Sequence, residues 1–254
     1  MARHMSIVLE TKGLNRRFGA VEVAGDIHFQ MKAGARRGLI GPNGAGKTSF
    51  VNLITGQLAP TSGRIYLNGR DVTDLSADRR VRLGLVRTFQ INTLLKGLSV
   101  LENVQLAILE HRKQGRSLFF GVSDQDRAAE AAYDLLERLR LGDDALRRVS
   151  DLPYGRQRLV EVAVALSLEP SVLVLDEPAA GVPPSESHRM IELIESLPSS
   201  IAVLIIEHDM KLVFRFAQEI TVLVAGRILT EGRPEEIGQD QRVRDVYLGT
   251  RGHG

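Results

Sequence analysis

A glycine-rich run constrains the fold more than any other stretch of the chain: Gly41-Pro42-Asn43-Gly44-Ala45-Gly46-Lys47-Thr48. Its spacing is that of a loop that wraps nucleotide phosphates between a strand and a helix. The glycines permit a tight turn, and the amides of the loop and of the following helix would face phosphate oxygens. The sequence therefore predicts a buried strand that ends at Ile40, a phosphate-binding loop, and an apolar-faced helix that continues from Ser49 to Thr55.

The residues of this loop have distinct expected roles. Lys47 would reach the β- and γ-phosphates, and the Thr48 hydroxyl would hold a Mg²⁺ ion that bridges them. The alternative, a glycine-rich turn without a ligand, is disfavoured by the apolar strand and helix on either side. The predicted phosphate-binding residues are Gly41, Pro42, Asn43, Gly44, Ala45, Gly46, Lys47, Thr48 and Ser49.

A second candidate site follows the continuous apolar run Val172-Leu173-Val174-Leu175, which is typical of a strand buried on both faces. The run ends in Asp176-Glu177-Pro178. Carboxylates at the C-terminal end of a parallel strand lie where open α/β sheets bind their ligands. We expect Asp176 to hold Mg²⁺ through water and Glu177 to act as general base on the attacking water, although both could instead cap the following helix.

Two further residues are candidates for contacts with a nucleotide. His208 follows another apolar strand, Ile201 to Ile206, and an imidazole there could hydrogen-bond the γ-phosphate. Phe18 is expected in the first turn of the chain. Its ring could stack on an adenine, or it could simply cover the core of a hairpin.

The order of patterns predicts one α/β domain with an insertion. Ile7 to Leu14, Asp26 to Met31 and Ala35 to Ile40 have strand patterns, so an antiparallel layer is expected before the phosphate loop. Helical periods replace strand-length runs from residue 91 to about 165, with helices over Val100 to His111 and Arg127 to Leu141. We predict a nucleotide-binding core over residues 1–90 and 166–254 and an inserted helical subdomain over 91–165.

Composition excludes several classes of protein. The 254 residues carry a net charge of only +2, and the arginines at positions 79, 80, 82 and 87 lack interleaved aromatics, so we expect solvated helix faces and no nucleic-acid partner. The absence of cysteine excludes disulfides and thiolate metal sites. No apolar run approaches the roughly 18 residues of a membrane span, and no secretory pattern opens the chain. A cytoplasmic location is expected, with Met5 as the native start.

Taken together, these residues resemble the ATP-binding subunit of ABC transporters along nearly the whole chain. The order of the motifs carries the resemblance: the phosphate loop, Gln90 after a strand end, Gly155-Arg156-Gln157, Asp176-Glu177 and His208. Within the family the chain is similar to the branched-chain amino-acid importers, and lipopolysaccharide-export ATPases share several of the same features. These features are Arg87-Thr88-Phe89-Gln90, Ala179-Ala180-Gly181, Glu207-His208-Asp209-Met210 and Val246-Tyr247-Leu248-Gly249.

The resemblance implies a P-loop NTPase core, a parallel sheet with helices on both faces, together with the antiparallel layer and the inserted helical subdomain. It also implies that Gln90 contacts Mg²⁺ and couples to the membrane subunits, and that Phe18 stacks on adenine. The signature residues would bind the ATP held by a second ATPase chain, in a homodimer or a heterodimer; they are Tyr154, Gly155, Arg156 and Gln157. The other implied partners are transmembrane permease subunits and, indirectly, a solute-binding protein, with the chain peripheral at the cytoplasmic face of the membrane.

The chain departs from the family pattern at two prolines. Pro153 stands where the signature has a serine, and Pro183 stands where the loop after Glu177 usually ends in Asp or Asn. Proline offers neither a hydroxyl nor a backbone N–H, so we predict a weakened signature and a preference for a heterodimer. Two rival classes are a soluble ABC ATPase of DNA repair or translation, which usually carries a long coiled coil, and a phosphotransferase, which needs a second substrate lid.

Overall fold

The computed structural model describes residues 6–88, 94–112 and 122–249. Within these ranges it contains strands and helices in mixed order. The strands are β1 (Ile7–Phe18), β2 (Val21–Lys32), β3 (Arg36–Ile40), β4 (Ser62–Leu67), β5 (Arg70–Asp71), β6 (Leu85–Arg87), β7 (Val172–Asp176), β8 (Ala202–Ile206), β9 (Glu219–Val224) and β10 (Arg227–Gly232). The helices are α1 (Lys47–Thr55), α2 (Ala77–Arg82), α3 (Val100–Arg112), α4 (Val122–Arg138), α5 (Tyr154–Leu166), α6 (Pro184–Glu195), α7 (Met210–Phe216), α8 (Pro234–Gln239) and α9 (Gln241–Gly249).

The strands form two sheets. A four-stranded antiparallel sheet has the order β2-β1-β4-β5, and a six-stranded sheet has the order β10-β9-β3-β8-β7-β6. In the larger sheet β3 pairs in parallel with both β8 and β9, and β7 pairs in parallel with β8. These sheets confirm the predicted α/β fold class with its N-terminal antiparallel layer.

The central strands of the larger sheet are buried because they are covered on both faces. All five residues of β3 and all five of β8 are buried. The apolar face of α1, with Phe50, Leu53 and Ile54, packs into the same core as side chains from β1, β2 and β4. This core fixes β3 and α1, the two elements that flank the glycine-rich loop.

The chain divides into two compact units. The first comprises residues 1–85, 171–178 and 197–254, and the second comprises residues 86–170 and 179–196. The second unit contains α3, α4, α5 and α6, and α3 packs against both α4 and α5. No helix in the described ranges is long and apolar enough to cross a bilayer.

The first hairpin is longer than the sequence predicted. β1 continues to Phe18 and β2 begins at Val21, so the prediction that Phe18 lies in a turn is wrong. Register shifts interrupt the pairing of the two strands, and such bulges break the alternation by which strands are recognised. Paired charges support the extra length, because Arg17 lies opposite Glu22 and its Nη2 donates to that carboxylate at 2.8 Å.

The prediction of solvated helix faces fails at Arg80 and at Arg87, which lies half-buried in β6. Arg80 in α2 is only 1% exposed, and its guanidinium donates to backbone carbonyls. Nη1 reaches Leu53 O and Ile54 O at 2.7 Å each, and these carbonyls belong to the last turn of α1. Nη2 donates to Thr73 O at 2.8 Å. Arg80 therefore satisfies carbonyl groups that a helix leaves unpaired at its C-terminus.

Candidate functional site

The glycine-rich loop leaves the N-terminus of α1 open to an anion. Gly46 caps the helix in the left-handed region, with φ 97°, and as a glycine it has no side chain to accept from the first-turn amides. Those N–H groups lack intrahelical acceptors and carry the positive end of the helix dipole. A Cβ atom at Gly46 would lie 2.7 Å from the Val23 carbonyl oxygen, so the backbone requires glycine here.

Lys47 places a positive charge inside the loop. The residue is 7% exposed, and its Nζ donates to Gly41 O at 2.7 Å and to Pro42 O at 3.1 Å. Burial lowers the pKa of the Lys47 ammonium, while the negative charges of Glu177 and Asp176 act in the opposite direction. The ammonium is thus held beside the loop carbonyls with two carboxylates nearby.

The strand ends predicted to carry catalytic groups lie together. Glu177 follows β7 with φ 48°, a left-handed conformation that is uncommon for a non-glycine residue and stores strain. Its N–H donates to Ile206 O at 2.8 Å, at the end of the neighbouring strand β8. Its Oε1 lies 2.6 Å from Nε2 of His208, so the carboxylate and the imidazole form one hydrogen-bonded pair.

These groups line a single cleft of about 560 Å³ in the first unit. The cleft brings together predicted residues of the loop and of both strand ends: Asn43, Gly44, Ala45, Gly46, Lys47, Thr48, Ser49, Asp176, Glu177 and His208. Gly41 and Pro42 contribute the carbonyls that hold Lys47. Sequence reasoning missed the remaining lining residues: Val21, Glu22, Val23, Ile206, Ala225 and Gly226.

The missed residues include a hairpin tip that supports the loop. Gly226, in the turn between β9 and β10, donates its N–H to Ala45 O at 2.8 Å, and its carbonyl accepts from Gly25 N at 2.8 Å. Ala225 and Gly226 both have positive φ, 47° and 77°. The Ala-Gly pair between two apolar runs was a turn signal, but its contact with the loop has no local signature.

The last helix also reaches the phosphate loop. The Tyr247 hydroxyl of α9 hydrogen-bonds with the Gly41 backbone, and burial raises the pKa of that hydroxyl. Tyr247 belongs to the Val246-Tyr247-Leu248-Gly249 run noted in the sequence. This contact gives the run a structural role at the first glycine of the loop.

Phe18 lies at the edge of this region rather than among the residues that line the cleft. It ends β1, is 50% exposed, and pairs with Val21, which does line the cleft. The Arg16 guanidinium lies over one face of the ring, 4.4 Å from its centroid. The second possibility, that Phe18 covers the core of a hairpin, is inconsistent with this exposure.

Magnesium would need ligands from the nucleotide itself. In the described part of the chain, no group of three or more histidine and acidic side chains is arranged to hold a metal. Thr48 and Asp176 nevertheless line the same cleft as Lys47. Mg²⁺ usually takes only one or two protein ligands and completes its shell with phosphate oxygens and water. The donor set therefore fits a nucleotide-bound Mg²⁺.

The predicted signature residues lie in the second unit, at the start of α5. Pro153 caps the helix without a side-chain hydrogen bond, and Tyr154 is 41% exposed. The Arg156 guanidinium is bound by Asp144, with Nε 2.6 Å from Oδ2, and Gln157 Nε2 donates to Leu152 O at 2.8 Å. The side chains of Arg156 and Gln157 thus have internal partners.

The carboxylate of Glu186 and the side chain of Val182 fill the space beside Gly155, so a larger residue at 155 would collide with them. Gln90, predicted to contact Mg²⁺, lies outside the described residues, as does Phe89 before it.

A glycine loop at a helix N-terminus, with strand-end carboxylates in one cleft, defines a nucleotide-binding ATPase of the P-loop class. The ABC transporter family model matches residues 24–180, and the chain belongs to this family. A second model, described as branched-chain amino acid ATP-binding cassette transporter, matches residues 227–253. The second match covers β10, α8 and α9, including Tyr247.

Curated relatives agree with these matches. The chain is 38% identical to the high-affinity branched-chain amino acid transport ATP-binding protein LivG of Salmonella typhimurium, over 95% of this chain and 98% of that protein. It is 37% identical to the corresponding protein BraF of Pseudomonas aeruginosa, with the same coverage. The family predicted from the motifs is confirmed.

Solved structures show the same architecture. The ADP conformation of MJ1267, an ATP-binding cassette of an ABC transporter, is 31% identical and superposes with a TM-score of 0.83, covering 96% of this chain and 99% of that one. A nucleotide-free ATP-binding cassette from an ABC transporter is 29% identical with a TM-score of 0.81, covering 95% and 98%. The chain is therefore an ATP-binding, ATP-hydrolysing cassette of a transporter.

Proposed function

We propose that this cassette uses Mg²⁺-dependent ATP hydrolysis to power the import of branched-chain amino acids. The single observation that supports the chemistry best is the cleft in which the open N-terminus of α1, Lys47 and the Glu177–His208 pair meet. The choice of solute is supported by the C-terminal match over residues 227–253 and by the names of the relatives.

The described residues divide the work of binding and hydrolysis. The amides of Gly44 to Ser49 would surround the phosphates, and Lys47 would exchange its two carbonyl partners for phosphate oxygens, which restores the charge compensation that burial denies it. Glu177 would take a proton from the attacking water. His208, 2.6 Å from Glu177, would orient that carboxylate and contact the γ-phosphate.

A bound Mg²⁺ would supply positive charge that offsets the negative charge developing on the phosphates during transfer. Thr48 and Asp176 are the described residues proposed to hold it, and Gln90 is the third. Phe18 is proposed to stack on the nucleobase.

A second ATPase chain is proposed to complete the site. Tyr154, Gly155, Arg156 and Gln157 would offer the N-terminus of α5 to the γ-phosphate of ATP bound by the partner chain. Because Arg156 and Gln157 have internal partners, the backbone amides and the helix dipole would provide the attraction. We further propose that residues 91–165 form the inserted helical subdomain and that permease subunits bind the cassette at the cytoplasmic face of the membrane.

Reconstitution tests the function directly. The cassette would be co-expressed with permease subunits of the branched-chain importer type from the same organism, placed in vesicles with a matching solute-binding protein, and assayed for uptake of labelled leucine. We expect uptake that requires ATP and Mg²⁺, is inhibited by unlabelled valine and isoleucine, and is abolished by Glu177→Gln. The matched control Glu235→Gln changes an exposed carboxylate outside the cleft and should transport normally. Normal ATP hydrolysis without amino-acid uptake would refute the solute assignment and leave the ATPase assignment intact.

A further inference from the structure

We propose that Arg16 is a positioning residue for the nucleobase: its guanidinium stacks behind Phe18 and holds the ring with its opposite face open to the base. The inference rests on the proposed nucleotide site and adds a residue that no motif of the chain identifies. Arg16 would then raise the affinity for nucleotides through the base and not through the phosphates.

The geometry supports a stacked pair. Arg16 and Phe18 are two residues apart on β1, and their side chains meet although the register of β1 against β2 shifts between Arg16 and Arg17. The guanidinium carbon lies 4.4 Å from the ring centroid, within the distance for a cation–π contact. Phe18 is 50% exposed, although the Arg16 guanidinium covers one face of its ring. The exposed half therefore includes the face that a base would contact.

The backbone around residues 59–62 fixes the guanidinium in this position. Nη1 of Arg16 donates to Ala59 O at 3.1 Å, and Asn15 O accepts from Thr61 N at 2.8 Å. Among the described residues, the Nε atom of Arg16 is buried and has no hydrogen-bond partner. The Phe18 ring is therefore the group that stabilises this part of the guanidinium charge, through a cation–π contact.

The pair would assist base binding in two ways. A ring already held in one orientation loses less side-chain entropy when a base stacks on it. The positive charge behind the ring also draws electron density from the front face, which favours contact with an electron-rich purine. The expected gain is that of one partly exposed cation–π contact, about two- to fivefold in affinity.

Arg17 supplies a matched control. It is the adjacent residue on the same strand with the same charge, but its guanidinium binds the Glu22 carboxylate at 2.8 Å. Arg16→Met and Arg17→Met each remove one positive charge near the cleft while keeping a long apolar side chain. Only the first removes the stack behind Phe18.

The test compares ligands with and without a base by calorimetric titration of the intact chain. Arg16→Met should weaken ATP and ADP about two- to fivefold and leave inorganic tripolyphosphate unchanged, whereas Arg17→Met should leave the ratio of ATP to tripolyphosphate affinity unchanged. In a Phe18→Leu background, Arg16→Met should have no further effect, because the two residues act as one unit. Because both ligands need the same folded protein, this ratio is unaffected by a smaller folded fraction.

Each contrary result has a distinct meaning. Equal weakening of ATP and tripolyphosphate would show that Arg16 acts on the phosphates, and unchanged ATP affinity would show that it does nothing for binding; either overturns the proposal. An undiminished effect of Arg16→Met in the Phe18→Leu background would also overturn it. Failure of the nucleotide site itself would appear differently, as a Lys47→Ala variant that binds ATP and tripolyphosphate as well as the native chain.

Discussion

Replacing Arg80 by methionine should destabilise the first unit strongly, although Arg80 is not one of the residues that line the cleft. Methionine has a similar length and no donor, so the carbonyl oxygens of Ile54, Thr73 and Leu75 lose a donor at 2.7 to 3.0 Å. The Leu53 carbonyl also loses its contact with Arg80 but keeps the Gly56 N–H at 3.3 Å. Burial lowers the pKa of Arg80 to about 10, so the guanidinium is charged at neutral pH.

The magnitude follows from two opposing effects. A buried acceptor without a donor costs about 1 to 3 kcal/mol, so three of them could cost about 3 to 9 kcal/mol in simple addition. Two effects reduce this loss of stability. The variant no longer buries a charge, and water can reach some of the carbonyls that Arg80 had bound. We expect a loss of about 3 to 5 kcal/mol in the free energy of unfolding, at the upper end of single substitutions.

Urea unfolding followed by circular dichroism measures this change, with Arg82→Met as the control. Arg82 lies on the same helix but is exposed and pairs with Asp78 at 3.1 Å, so its loss should cost no more than about 0.5 kcal/mol. A lower midpoint for Arg80→Met at an unchanged denaturant slope would support the expectation. If the two variants unfolded within about 0.5 kcal/mol of each other, the carbonyl contacts of Arg80 would not stabilise the fold, and the argument would be refuted.

Three further predictions concern the proposed site. Lys47→Ala should bind ATP at least about tenfold more weakly in a titration, because one charge-assisted contact is lost, and unchanged affinity would refute the phosphate-loop assignment. Glu177→Gln should keep ATP binding but hydrolyse about 10² to 10⁴ times more slowly; unaltered turnover would exclude Glu177 as the base and favour His208. Pro153→Ser adds a hydroxyl donor at the start of α5, so ATP-induced dimerisation of the isolated chain should strengthen about ten- to a hundredfold. A native chain that already dimerises on ATP, with no gain from the serine, would show that the proline is a tolerated variation.

The sequence predicted which residues share the cleft better than it predicted the extent of the elements around them. Val172 to Leu175 and Ile201 to Ile206 were recognisable because strands covered on both faces leave continuous apolar runs. The groups after those runs are necessarily neighbours once their strands pair in parallel, which is why Glu177 and His208 could be expected on one edge of the sheet. The phosphate loop was recognisable because its backbone demands glycines at fixed spacing.

What the sequence did not predict depends on contacts between distant segments. Arg80 has the composition of a solvated helix residue, and only the approach of the α1 C-terminus makes it a buried donor. Gly226 looks like any turn glycine until its amide reaches Ala45. The bulges between β1 and β2 erase the alternation that would have shown strands reaching Phe18 and Val21. Helices such as α2, six residues long, are too short to establish a period.

The position of β3 between β8 and β9 has a consequence for how the protein is made. Arg36 pairs with Val203 and Arg37 with Glu219, so in the described part of the chain the strand that carries the phosphate loop has sheet neighbours only from the last quarter of the sequence. During synthesis the loop emerges early, yet β3 stays unpaired until residues 202–224 leave the ribosome, and Gly226 follows later still. Strands so far apart in the sequence pair slowly, and apolar strands stay exposed until they do. A ribosome-bound chain should therefore begin to retain nucleotide only when translation is nearly finished.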